Sequence, residues 1–314
     1  MINAALVITY ARKDNAMLLV EQLMNSGIKT IYVSIDGPKD TQIRELQALF
    51  KTMLQKKQEI FSGEILVWQR ELNMGSGASV VASLDWVFSS EESCHVLEDD
   101  LVVTEDFFTF MNYGLEQMSK QSNLKIVTGT NPFENMTDGK MGKVNYPVSW
   151  GWATNRANWK DLRDLIFNGS PKKVMQTKIR KRQYWEVGRK RALLGRIEAW
   201  DVPLASEMYK TTFYTLIPPV NLVRNIGFDQ YAAHTSESIW PLDMPANKLP
   251  DINNYEIIEN QLVDLNENFE NRIFKITGRH AVSWLVNITL DKFRFKRDSV
   301  PLSDRCQLER FPSK

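Results

Sequence analysis

Across its first 130 residues the chain alternates short apolar runs with longer stretches of helical period. A short apolar run bounded by polar turns suits a strand buried on both faces, and the helix that follows covers one of those faces. The repeat predicts βα units and an open, mostly parallel α/β sheet flanked by helices. Strands are expected at Ala4–Thr9, Thr30–Ile35, Glu64–Trp68, His95–Leu97 and Ile126–Gly129, and helices at Asn15–Met24, Thr41–Gln55, Ala78–Phe88 and Glu105–Met118. Leu18, Leu19, Gln22 and Leu23 carry the expected apolar stripe of the first helix, and Gly27 stops it.

Length and charge narrow the classes further. With 314 residues, 43% hydrophobic and 25% charged, the chain can build one or two substantial cores, which excludes a disordered, collagenous or coiled-coil protein. Its 39 Lys+Arg nearly cancel 38 Asp+Glu, so it is not a general polyanion binder. Cys94 and Cys306 suggest neither a disulfide framework nor a metal cage, and read as reduced thiols. Met1-Ile2-Asn3 runs into Ala4–Tyr10 without the basic start of a secretory signal. The longest uncharged stretches, Thr211–Val223 and Ala281–Leu290, fall short of the roughly 20 residues that span a bilayer. A cytoplasmic protein is expected.

In open α/β sheets the ligand sits beyond the carboxyl ends of the strands. Four such ends are polar here: Thr9-Tyr10-Ala11-Arg12, Asp36-Gly37-Pro38, Arg70 to Gly77, and Glu98-Asp99-Asp100. The acidic triplet is the strongest signal. Three adjacent carboxylates between apolar residues repel one another unless a cation compensates, and Mg²⁺ or Mn²⁺ with oxygen ligands is the natural one. The alternative is an acidic first turn for the helix starting near Thr104-Glu105-Asp106. Asn73-Met74-Gly75-Ser76-Gly77 brings glycines to a helix start, as a phosphate cradle or as a bare strand-to-helix turn. It matches neither the dinucleotide fingerprint nor a P-loop.

In order along the chain, Thr9-Tyr10-Ala11-Arg12, Ser34-Ile35-Asp36-Gly37, Asn73-Met74-Gly75, Leu97-Glu98-Asp99-Asp100-Leu101, Ser149-Trp150-Gly151-Trp152-Ala153-Thr154 and Asn221-Leu222-Val223-Arg224-Asn225-Ile226-Gly227 resemble a GT-A glycosyltransferase. The resemblance covers roughly residues 1–235. It is to the N-acetylglucosaminyltransferase I-like branch and to bacterial surface-polysaccharide sugar transferases. The resemblance implies a catalytic domain over 1–235, with a nucleotide and metal half at 1–130 and an acceptor half at 131–235, followed by a strap and helices over 236–314. It further implies that Thr9, Tyr10, Arg12, Asp36, Arg70, Asn73, Gly75, Glu98, Asp99 and Trp152 line a UDP-sugar site, with Asp36 accepting from the uracil imide and Arg70 near the ribose or diphosphate. Asp100 matches the direct metal ligand, joined by His234, although Ala232-Ala233 precede that histidine where the family pattern has Gly-x-x-His-Thr.

An inverting transfer needs a carboxylate to take the acceptor's proton. Glu198-Ala199-Trp200-Asp201 supplies Asp201 and, second, Glu198. Asp201 also reads as a simple cap before Val202-Pro203. Trp150 and Trp152, two apart, are either pocket walls or core.

Residues 171–196 hold ten basic residues against one acid, Glu186. Either this is a solvated helical face, or it meets a lipid-linked diphosphate acceptor or an anionic membrane at the inner face of the cytoplasmic membrane. No aromatic-interleaved RNA motif or zinc finger supports nucleic acid. Beyond Thr235, residues 240–250 read as an extended strap, Ile257–Asn271 as an acidic helix and Arg272–Phe295 as an apolar helix with a basic end.

The function that the resemblance implies is an inverting, metal-dependent hexosyl- or N-acetylhexosaminyltransferase moving sugar from a UDP-sugar to a surface-glycan acceptor. A sugar-nucleotide-forming nucleotidyltransferase is the alternative, set aside because Tyr10-Ala11-Arg12-Lys13 lacks that class's glycine-rich loop after the first strand. A non-catalytic carbohydrate-binding module is the third reading, opposed by the intact carboxylates.

Overall fold

A computed structural model describes residues 3–171, 179–227, 246–249, 262–271 and 300–312. Strand β1 (Ala4–Thr9) is buried along its whole length. β2 (Thr30–Ile35) and β3 (Glu64–Gln69) run parallel to it on one side and β4 (Ser93–Glu98) on the other. Strands covered on both faces carry apolar residues without alternation, which is why β1 and β2 begin and end where the apolar runs predict.

The side chains of β1 alternate between two layers. Ala5 and Val7 pack with α1 (Lys13–Asn25), α2 (Thr41–Gln58) and α4 (Glu105–Met118), whereas Ala4, Leu6 and Ile8 pack with α3 (Ser76–Phe88) and α6 (Arg156–Phe167). Full burial of each Leu or Ile contributes about 1.5–3 kcal/mol relative to exposure. In α1 the buried stripe is Ala16, Met17, Leu19, Val20 and Leu23, and Leu18 is 63% exposed, so the inward face is rotated from the expected one. Asp40 caps α2 by accepting from the Ile43 amide at 2.9 Å. Gly27 ends α1's turn at φ +84°.

The remaining described elements are β5 (Leu101–Val103), β6 (Leu124–Thr128), α5 (Glu134–Thr137), β7 (Gly142–Val144), β8 (Trp152–Asn155), α7 (Ile179–Leu193), α8 (Asp201–Met208), β9 (Tyr214–Ile217), β10 (Val223–Asn225), β11 (Val263–Asp264) and α9 (Leu302–Arg305). Among the described residues nine strands form one sheet, in the order β11-β7-β9-β6-β8-β4-β1-β2-β3. β8 is antiparallel to both β4 and β6, and β7 to β9; the other pairs are parallel. The fold is thus a mixed α/β layer with a large, mostly parallel central sheet flanked by helices. β5 leaves this sheet to pair antiparallel with β10.

One expected element differs. The described part of Ile257–Asn271 opens with strand β11, parallel to β7, and becomes helical at Asn266. Its apolar residues explain the change: Leu265 and Phe269 are fully buried, and Phe269 meets Phe133 ring to ring at 4.8 Å. The strap at 240–245 and the apolar helix at 272–295 lie outside the described residues.

His95 on β4 is 1% exposed beside Phe107 and Phe108, and among the described residues neither ring nitrogen has a hydrogen-bond partner. Burial pulls its pKa down to about 3. An unfolded histidine takes its proton near 6.5, so the unfolded state binds more protons across that window and stability falls as pH drops through it. Between pH 7 and 4.5 the wild type should lose about 2–3 kcal/mol more than His95→Phe in urea unfolding. Equal losses would refute this assignment.

Candidate functional site

The strand ladders carry the backbone one residue past each strand, into the polar clusters. The Asp99 amide donates to Ile8 (3.0 Å), Asp36 to Thr9 (3.1 Å) and Arg70 to Ile35 (3.0 Å), which sets the four strand ends in one row. Parallel strands place these ends on a common edge, where the ligand crevice of an open α/β sheet lies.

Within the acidic triplet the three carboxylates have different surroundings. Asp99 is buried and accepts from Thr9 Oγ1 (2.7 Å), the Tyr10 amide (3.2 Å) and Arg12 Nη1 (3.1 Å). Arg12 reaches on to the Gly227 carbonyl at 2.9 Å and lies 3.9 Å from Asp100. Asp100, half-buried at the crevice, has its pKa pushed up to about 6 by burial and by Asp99, against the pull of Arg12 and a hydrogen bond from Asn225. Glu98 is raised too, first by burial and then by Asp100, Asp99 and Asp201. Thr9, Arg12 and the triplet are therefore brought together as the sequence suggested.

Three residues of this cluster were read from the sequence only as parts of a motif. The β5–β10 pairing swings Asn225, Ile226 and Gly227 onto Asp100, with the Ile226 amide donating to the Asp100 carbonyl at 2.7 Å. A Cβ at Gly227 would lie 2.4 Å from the Asp100 carboxyl, so only glycine fits. The Asn-Ile-Gly tract was the available signal, and its meaning depends on a pairing more than 100 residues away in the chain.

Asp36 has a different task from the one the resemblance implies. Oδ1 accepts from the Gly37 (3.0 Å) and Met74 (2.9 Å) amides, and Oδ2 from the Gly75 amide (3.1 Å) and Asn73 Nδ2 (3.2 Å). At 5% exposure its acceptor sites are filled by the protein itself, leaving none for a uracil. Its pKa is raised by burial, with these donors opposing. Asn73 donates also to the Gly37 carbonyl (2.8 Å), so both residues bind the loop after β3 to the end of β2. Gln47 completes the support by donating to the Tyr10 and Asp36 carbonyls.

Arg70 is likewise internal. It is 1% exposed, donates to Ser34, Ser79 and Ser83, and lies over the Trp68 ring at 3.9 Å. Burial lowers its pKa to about 10. It joins β2, β3 and α3 from inside and does not line the crevice.

On the opposite wall, Asp201 begins α8 half-buried and acts electrostatically on Glu98, Tyr146 and Tyr184. Glu198 is exposed and its carboxylate fills the space that Gly75 leaves by lacking a side chain, where a Cβ would stand 2.7 Å away. Gly75, at φ +76°, therefore accommodates a protein carboxylate at the start of α3. Trp152 is a core residue, 1% exposed and stacked on Trp200 at 5.5 Å. Gly151 at φ +61° turns the chain before β8, so half-buried Trp150 packs with a different cluster.

His234 and residues 172–178 of the basic segment lie outside the described residues. Within that segment Arg189 pairs with buried Glu207 at 2.9 Å, and Trp185 is buried. The described end of the segment thus packs onto the protein. Among the described residues no helix is long and apolar enough to cross a membrane, and no three His, Cys, Asp or Glu side chains are grouped to hold an ion.

No protein-family model matches the chain, and no curated protein matches it. Among solved structures it is similar to a UDP-glucose pyrophosphorylase complexed with UDP-glucose, at 10% identity and a TM-score of 0.35, over 69% of this chain and 90% of that one. It is also similar to a mannose-1-phosphate geranyltransferase from Thermus thermophilus, at 11% identity and a TM-score of 0.32, over 69% and 73%. The inverting glycosyltransferase expected from the sequence is corrected here: the neighbours found are a pyrophosphorylase and a mannose-1-phosphate geranyltransferase, nearer to the sugar-nucleotide-forming alternative.

Asp36→Ala leaves the buried Met74 and Gly75 amides without their acceptor, and should destabilise the protein by about 1–3 kcal/mol. Urea unfolding checks this, and an unchanged midpoint would refute the clamp.

Proposed function

We propose that this chain is an enzyme that forms a sugar nucleotide. In this reaction a sugar phosphate oxygen attacks the α-phosphorus of a nucleoside triphosphate, a new P–O bond forms, and pyrophosphate leaves. The observation that carries the reading is the acidic cluster at the strand ends with Arg12 beside it and α1 starting immediately after Arg12.

Two anionic reactants must be held together, so the site needs positive charge more than it needs a base. The phosphate nucleophile is already ionised near pH 7, and no carboxylate has to remove a proton. Arg12 supplies a fixed guanidinium, and the first amides of α1, which have no side-chain cap, supply the positive end of a helix dipole. This arrangement takes the place of a glycine-rich loop after β1.

The donor chemistry fits a divalent ion. Asp100 would hold Mg²⁺ or Mn²⁺ with Glu98 beside it, because crowded carboxylates whose pKa values are already raised are relieved by a cation. With few protein ligands grouped there, water and phosphate oxygens complete such a shell. When bound, the ion neutralises charge on the triphosphate. Asp99 and Thr9 keep Arg12 aimed at that region, and Asp201 adds negative field from the facing wall.

The test offers each nucleoside triphosphate with a panel of sugar 1-phosphates and Mg²⁺ or Mn²⁺, and measures pyrophosphate release. Release should require both substrates, and Asp100→Ala should lower it by about 100-fold or more. A wild type that binds UDP-sugar with Mn²⁺ yet releases no pyrophosphate from any pair would overturn the reading.

Metal and proton compete at Asp100, whose pKa near 6 is raised, so acid favours the protonated form. The rise in melting temperature that Mn²⁺ produces should be full at pH 7.5 and largely lost at pH 5. An equal rise at both would exclude Asp100 as the ligand.

A further inference from the structure

The last described residues return to the crevice. Leu302 in α9 is 2% exposed in the core shared with α3, which anchors the segment 300–312. From that anchor Arg305 donates through Nη1 to the Met74 carbonyl (3.1 Å), through Nη2 to the Gly195 carbonyl (3.0 Å) and through Nε to the Val300 carbonyl (3.2 Å). The Glu198 carboxylate stands 3.8 Å from Nη1. Four residues on, Glu309 accepts from the Leu72 amide at 2.6 Å.

These partners belong to two walls. Leu72 and Met74 lie in the loop whose amides hold Asp36. Gly195 and Glu198 lie in the turn between α7 and α8 that leads into Asp201. Apolar contacts of Leu302, Cys306 and Phe311 already dock this segment, and they do not require a guanidinium with 14% side-chain exposure spread over carbonyls of both walls. Arg is suited to that task because its planar fork presents several donors in fixed directions. Gly195 is shaped for the contact as well: it sits at φ +68°, and a Cβ there would lie 2.2 Å from the Val300 carbonyl oxygen.

We infer that Arg305 is a positioning residue that latches the 72–75 loop to the 195–198 turn, reinforcing the contacts that Gly75 and Ser76 make with Glu198, and so fixes the turn that leads into Asp201. It acts through backbone carbonyls and touches no reacting atom. The inference rests on the proposed nucleotide reaction only for its kinetic consequence.

The test uses the full chain with Arg305→Ala, Arg305→Lys and Glu309→Gln. Hydrogen exchange should speed up roughly tenfold at both 70–78 and 194–200 in Arg305→Ala, the effect of losing hydrogen bonds from a charged group. Glu309→Gln should speed exchange at 70–78 alone. Arg305→Lys keeps the charge and loses the fork, so it should show the same two-site pattern to a smaller extent, and it serves if the alanine variant does not fold. With nucleoside triphosphate, sugar 1-phosphate and Mn²⁺, Arg305→Ala should raise KM about tenfold with kcat within twofold, and millimolar methylguanidinium should recover part of the loss. Unchanged exchange at 194–200 in both Arg305 variants overturns the latch, as does a fall in kcat with KM unchanged. If the wild type shows no turnover, the proposed reaction fails, and the exchange pattern still decides the latch.

Discussion

Three consecutive carboxylates at the end of a buried strand impose the conditions that the rest of the site meets. Glu98, Asp99 and Asp100 follow one another where β4 reaches the crevice, and like charges this close cannot all stay ionised at low effective dielectric without compensation. The protein compensates one of them from within, giving Asp99 a hydroxyl, an amide and a guanidinium. Glu98 and Asp100 are left to the crevice with their pKa values raised by burial and by the neighbouring carboxylates of the triplet. The surrounding chain follows from this division. β1 ends where Thr9 can reach Asp99, Arg12 stands at the head of α1, and β5 leaves the main sheet so that β10 can lay Asn225 and Gly227 on Asp100.

The polar strand ends therefore fall into two groups that look alike in sequence. Arg12, Glu98 and Asp100 face the crevice, whereas Asp36 and Arg70 are posts buried beneath it. Hydrogen bonds to a charged group contribute about 1.5–3 kcal/mol each, and Asp36 receives four of them from the loop it holds and from its own neighbour Gly37. Rigidity at the crevice floor thus comes from a charge that no ligand meets. Such preorganisation matters in a site where charge must be placed before the reactants arrive.

Most of the first 130 residues were legible because a strand covered on both faces leaves a dense apolar run, and β1, β2 and α4 stand at their expected residues. The other half was harder. β7, β9 and β10 have three or four residues, too few for a period to register, and their pairing is set by partners far along the chain. The site shows the same limit. A charged residue after a strand reads as exposed, and Arg70 is buried because Ser34, Ser79 and Ser83 converge on it from two other elements. Ser79 and Ser83, one turn apart on an otherwise apolar helix, were the trace of it. Nothing near Asp36 announces that the Met74 and Gly75 amides will arrive to satisfy it.

The near-neutral total charge takes on a local meaning on the wall that carries Asp201. The sequence shows 171–196 as a cationic block, yet Arg189 pairs with Glu207 and Lys210 with both Glu207 and Glu186. Glu207 is 2% exposed, and a buried carboxylate of this kind persists only while its cations stay in place. The pairs therefore join α7 to the far end of α8, while Trp200, stacked on Trp152, secures the near end against the sheet. Held at both ends, α8 can present Asp201 toward Glu98 in one arrangement, and the negative field on Glu98 becomes a property of the packed core.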